Sequence, residues 1–198
     1  MAEIKSALEL ALERTEGVKG DKEKLKAHDA KQKGKKIVSQ FLLHPEKDET
    51  GIAKKLKEIP QEEMKWVKEG VFQTLISNVS LPNSEEDMGK ADVLEKALIE
   101  VINNKRQISS MFSQLKQFFQ QYLQNVQQLE SQLLQQFGQK IKQKEQELSQ
   151  RMGSEVKLDP ASDPEFAVAL KQNRSQLDSH FQQAIDDFKE QLKSLFPG

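Results

Sequence analysis

The side chains able to do chemistry are few and poorly spaced for it. Three histidines, His28, His44 and His180, lie far apart, with no H-x-x-x-H pattern and no His–carboxylate cluster at ligand spacing. A zinc-type site needs three or four such groups converging, so no metal ligands are expected. Two acidic clusters, Glu85-Glu86-Asp87 and Asp186-Asp187, fall on polar stretches. Paired carboxylates act as acid and base only in a cleft that separates their proton affinities. The serines and lysines lack a G-x-S-x-G elbow, an S-x-x-K pair or a glycine-rich phosphate loop. Cysteine is absent, which removes thiol chemistry and disulfides. No catalytic residue, no cofactor and no metal is therefore expected, and the chain does not read as an enzyme.

The other chemistry on offer is charge. Lysines crowd the stretch from Lys19 to Lys36, and lysines that neutralise phosphates release counterions and bind polyanions. The stretch carries no interleaved aromatics on which bases could stack. Weak nucleic-acid binding through 19–36 is one functional alternative; a solvated face paired with acids is the simpler reading. Formal net charge is −1 over 198 residues, so no global field drives the molecule onto nucleic acid or an anionic membrane. Locally the sign alternates: −2 over 1–17, +5 over 18–47, −5 over 48–100, +4 over 101–152 and −3 over 153–198. That pattern suits segments that fold back on one another.

The elements that must position these groups are helices. Hydrophobic residues make up 36% and charged residues 31%, and the abundant Gln, Lys, Glu, Leu and Ala are good helix formers. The expected class is all-α and elongated, since so little apolar material fills only a thin core. No run approaches the roughly 20 apolar residues of a membrane span, and the N-terminus lacks a signal-type segment. A cytoplasmic location is the expectation.

An N-terminal region, 1–83, is expected to hold several shorter helices. Residues 2–15 place Ile4, Leu8, Ala11 and Leu12 on one side, with Gly17 and Gly20 as its end. A second helix over 21–43 anchors through Ile37, Val38, Phe41, Leu42 and Leu43 and stops at His44-Pro45. Order over 18–36 is expected to be weak, with Leu25 nearly alone and Gly34 in the middle. Helices over 49–58 and 60–80 follow, the latter opening at Pro60 and carrying Met64, Val67, Val71, Leu75 and Val79 at steps of three and four.

The second region, 84–198, is expected to be a long antiparallel helical hairpin of coiled-coil type. From Leu94 the apolar series runs through Leu98, Val101, Ile108, Phe112, Leu115, Phe119, Tyr122, Val126, Leu129 and Leu133, with only Lys105 interrupting it. Such a heptad stripe faces a partner helix. An unbroken helix over about 91–152 would span about 90 Å. Gly153 ends it, a loop covers 153–162, and Ser162-Asp163-Pro164-Glu165 starts a closing helix of about 163–196. Its apolar side is read as Phe166, Leu170, Leu177, Phe181, Ala184, Phe188, Leu192 and Leu195.

Two further features bear on function. Gln makes up about a third of residues 107–150 and fits outward heptad positions as an uncharged helix former. The apolar face is widest at Met111, Phe112, Leu115, Phe118, Phe119, Tyr122, Leu123 and Val126, the candidate protein-interaction residues. Core packing is the simpler account of these side chains, and an exposed groove for another chain the sharper one. The leading expectation is a non-enzymatic interaction protein, a scaffold, spacer or adaptor, that binds protein partners or itself through this seam as a homo-oligomer. In shape alone the expected hairpin resembles prefoldin-like and Skp-like holdases, and a holdase for unfolded clients is the alternative.

Overall fold

A computed structural model describes residues 7–44 and 51–197, with side chains described from residue 22 onward. All regular structure among these residues is helical: α1 (Ala7–Leu43), α2 (Gly51–Lys57), α3 (Gln61–Ser77), α4 (Met88–Ile102), α5 (Lys105–Met152) and α6 (Pro164–Leu195), with short 3-10 turns before α4 and α6. No helix among the described residues is long and apolar enough to cross a membrane. The chain divides into two compact units. One comprises 1–78, 92–109 and 194–198; the other comprises 79–91 and 110–193.

In the first unit α1 is one helix where two were expected, running through Gly17, Gly20 and Gly34. The stretch 18–36, expected to be weakly ordered, lies inside it. Packing explains the part around Gly34. A Cβ on Gly34 would lie 2.3 Å from the Val67 carbonyl oxygen, and one on Gly70 would lie 2.3 Å from the Lys31 carbonyl oxygen. The two glycines let the backbones of α1 and α3 cross in near contact. Glycine's helix penalty is about 1 kcal/mol, less than the apolar burial this crossing permits at about 25 cal/mol per Å². Ala30, Val38 and Phe41 of α1 meet a core that also holds Val67, Val71, Phe72 and Leu75 of α3 and Leu94, Leu98 and Val101 of α4. Ion pairs Lys31–Glu69 and Lys33–Glu63, both at 2.6 Å, flank the crossing. Phe196 stacks on Phe72 with ring centroids 4.2 Å apart. Residues 2–6 of the expected first helix and 49–50 of the expected helix over 49–58 lie outside the described residues.

The expected single helix over 91–152 is two helices. Asn103 adopts φ +56°, the left-handed region that Asn tolerates better than most residues. Its N–H still bonds the Ile99 carbonyl at 3.0 Å, closing α4. Asn104 then caps α5, its Oδ1 accepting from the Gln107 N–H at 3.3 Å, which satisfies one of the free donors of a helix start. Lys105, the one gap in the apolar series, is the first residue of α5.

The second unit is built on most of α5 and on α6. α5 ends at Gly153, φ +68°, with its N–H on the Ser149 carbonyl. The segment that follows is tied back to α5 by side chains: Ser149 Oγ accepts from the Val156 N–H and Glu145 Oε1 from the Leu158 N–H, each at 2.9 Å. Asp163 caps α6 through Oδ1, accepting from the N–H groups of Glu165 and Phe166 at 3.0 and 3.1 Å. Pro164 occupies the first helical position, where its missing N–H costs nothing. The other Asp163 oxygen pairs with Lys144, and Lys140 pairs with Glu165.

Candidate functional site

Along α5 and α6 the contacts run in opposite directions. Phe112 meets Phe188 edge to face at 5.4 Å. Phe118 and Tyr122 both meet Phe181, at 5.0 and 5.2 Å, and Phe137 meets Phe166 at 5.7 Å. Edge-to-face and tilted ring pairs at these separations add to the area they bury.

The eight candidate interaction residues all lie on α5, and the structure places them against other parts of the same chain. Phe112, Leu115, Phe119, Tyr122, Leu123 and Val126 are buried, while Met111 and Phe118 are half-buried. Tyr122, Leu123, Val126 and Phe181 form one cluster, on which Leu81, Met88, Phe118 and Leu177 pack. The width of the apolar face has a physical cause in this cluster: Leu81 and Met88 lie against it in addition to α6.

One polar group interrupts the apolar pairing. Tyr122 is 2% exposed, and its hydroxyl donates to Asp178 Oδ1 at 2.6 Å. Arg174 Nε lies 3.2 Å from both the Tyr122 hydroxyl and that same Asp178 oxygen. The guanidinium carbon sits 5.4 Å from the centre of the tyrosine ring, within cation–π range. Glu130 Oε1 approaches Arg174 Nη1 at 3.9 Å. Burial, then the bond to Asp178, holds the Tyr122 hydroxyl above its ordinary proton affinity, while Arg174 opposes the shift. Buried polar groups are stable only when paired, and no described buried side-chain N or O atom lacks a partner.

Arg174 lies outside the apolar stripe read for the closing helix, although the sequence carries a signal for it. The step from Leu170 to Leu177 is seven residues, and Arg174 fills the place an apolar residue would take. The closing helix also departs from the expected stripe at one position, since Ala184 is exposed and Ile185 is fully buried. The inward series is then 166, 170, 174, 177, 181, 185, 188, 192, in steps of four, four and three, with Phe166, Phe181, Ile185 and Leu192 buried and the other four half-buried.

The remaining candidates are dispersed. His28 and His180 are exposed, His28 beside Gln32 and His180 edge-on to Phe181. Among the described residues no three His, Asp or Glu side chains are grouped to hold a metal ion. Lys31 and Lys33 point to carboxylates of α3. The glutamines of α5 turn outward: Gln114, Gln117, Gln120, Gln121, Gln124, Gln127 and Gln128 are all exposed.

Residues 53–194 match the model of a family described as a family of unknown function, DUF6657. No curated protein and no solved structure matches the chain.

Proposed function

The chain belongs to the family of unknown function DUF6657, whose description assigns no activity, and we propose from its geometry that it is a non-enzymatic interaction protein, a scaffold or spacer. In this reading α5 and α6 form an antiparallel hairpin of coiled-coil type, and protein partners dock on its outer face. The supporting observation is the solvent side of α5. Between Gln107 and Leu129 the only charged residue is Lys116, and the exposed positions are glutamines together with Ser110 and Ser113. Most solvated helix faces carry interspersed charges, whereas the centres of protein interfaces are depleted of them. A row of amides offers donors and acceptors to another chain without the cost of desolvating ions.

This reading moves the expected docking surface from the apolar seam to the opposite side of the same helix, because the seam residues already contact α6 and the segment around Leu81 and Met88. Crosslinking in the native cell followed by affinity purification tests it. Partners recovered with the native chain are expected to be lost from Q114E/Q121E/Q128E, whose helicity in circular dichroism stays the same. An unchanged partner set in that variant would overturn the docking face.

A further inference from the structure

The solvent side of α5 carries no ion over most of its length. From Ser110 to Gln139, about 45 Å of helix at 1.5 Å per residue, the exposed residues are eleven glutamines, three serines and Leu134. The two charged residues of this stretch, Lys116 and Glu130, are half-buried. Seven residues are close to two helical turns, so Ser110, Gln117, Gln124 and Ser131 form one outermost row, opposite the buried stripe. That row reads the same in both directions. Gln114, Gln121 and Gln128 run along one flank of it, and Ser113, Gln120 and Gln127 along the other.

We propose, on the reading that partners dock on the outer face of α5, that the occupant is a second copy of this chain, its own α5 lying antiparallel about a two-fold axis beside Gln120 and Gln121. A two-fold contact uses the same patch on both copies, and the order of the outermost row permits it. Ser110 of each copy faces Ser131 of the other, Gln117 faces Gln124, and on the flank Gln114 faces Gln128. A primary amide both donates and accepts, so two identical rows satisfy each other, and the short serines at the ends leave the helices room to approach. A foreign surface with the usual interspersed charges would give up hydration on this face and meet no ion in return. α6 offers only a shorter uncharged face, Gln172 to Ala184, which includes the titratable His180 and ends at the exposed pair Asp186-Asp187. Formal net charge is −1, so little long-range repulsion opposes the approach of two copies. An interface of amides lacks the apolar centre of a permanent dimer, and half-association is expected at about 0.1–1 mM.

Sedimentation equilibrium of the full chain, from about 10 µM to about 1 mM, tests the pairing. The average mass is expected to rise with concentration from 22.7 kDa toward twice that value. Two variants test the arrangement. Q114E/Q128K sets a glutamate against a lysine twice across the two-fold axis, whereas Q114E/Q128E sets like charges there. Within one chain the two positions are about 21 Å apart, so the exchange acts between copies, and circular dichroism is expected to show the same helicity in both. The first variant is expected to associate more tightly than the native chain and the second more weakly, with dissociation constants about tenfold apart. Weakening of both to the same extent would mean parallel copies and would overturn the proposed pair. A native chain that keeps its single mass at about 1 mM overturns the second copy as occupant, and if partners are still lost from Q114E/Q121E/Q128E the docking face itself stands. A pair that forms and responds to neither variant overturns the proposal and removes the docking face with it.

Discussion

The hydroxyl of Tyr122 and the carboxylate of Asp178 share a 2.6 Å hydrogen bond across α5 and α6, fifty-six residues apart in the chain. Tyr122 is the only tyrosine, so its ionisation can be followed directly by ultraviolet absorbance. Burial and then Asp178 raise its proton affinity above the ordinary value of 10.0. A raised group contributes stability that is complete below its unfolded value and is lost as pH rises through its folded value. The absorbance midpoint is therefore expected above pH 10.0, with weakening of the fold on the same rise. Asp178→Asn should lower the midpoint, and Arg174→Leu should raise it, since the guanidinium favours the phenolate. A midpoint at the ordinary value in the native chain would contradict this account of the cluster.

The meeting of Gly34 and Gly70 makes a prediction of opposite sign from another glycine. Gly34→Ala or Gly70→Ala forces a methyl into backbone atoms 2.3 Å away and is expected to cost about 1–3 kcal/mol or more. Gly138 lies in the interior of α5 with nothing near its Cα hydrogen. Gly138→Ala is expected to stabilise by about 0.5–1 kcal/mol through helix propensity alone. Urea unfolding followed by circular dichroism reads all three, and the fluorescence of the single tryptophan, Trp66 on α3, reads the first two. Equal effects of alanine at Gly34 and Gly138 would sink the close crossing.

Asn103 separates α4 from α5 by its left-handed backbone. Asn103→Ala is expected to destabilise by about 1–2 kcal/mol, the cost of a Cβ in that region, while Asn103→Gly should stay within a few tenths. Urea midpoints of the two variants decide the matter. Stabilisation by alanine would mean that one helix runs through the junction.

Asp163 links two duties, capping α6 and pairing with Lys144. The bond to Lys144, and then the Phe166 N–H, hold its carboxyl below the ordinary value of 3.8. A depressed carboxyl contributes stability that is present above the unfolded value and is lost as pH falls through the folded value. Acid titration of the native chain is expected to lose stability below about pH 4, and Asp163→Asn should flatten that part of the profile. Asn still caps a helix, so helicity near neutral pH should persist. An unchanged acid limb in Asp163→Asn would remove Asp163 from this role.

Much of the fold is legible in residue spacing because steps of three and four leave little freedom. The stripe from Ile108 to Leu133, the end at Gly153 and the cap at Asp163-Pro164 are all read from local chemistry. The break at Asn103-Asn104 escapes that reading because Val101 and Ile108 are seven apart, so the apolar period continues across a junction that changes the backbone. Glycine misleads at Gly34, where low helix propensity suggests weak order while the missing side chain is what admits α3. Arg174 reads as a gap in a stripe, and only the position of Tyr122 across from it turns the gap into a polar contact. The candidate surface from Met111 to Val126 illustrates the same limit: spacing identifies an apolar face, and only the tertiary arrangement places α6, Leu81 and Met88 against it.

From Phe112 to Phe137 the apolar stripe of α5 lies against α6 of the same chain, and the glutamine side is exposed. Spin labels at Q117C and Q183C, exposed positions on the two helices, measure this by dipolar spectroscopy. Helix axes 8–10 Å apart predict one short distance, under about 30 Å, that persists unchanged when labelled chains are diluted into an excess of unlabelled ones. A short distance that disappears on dilution, or its absence altogether, would show that another molecule covers the stripe and would contradict the account.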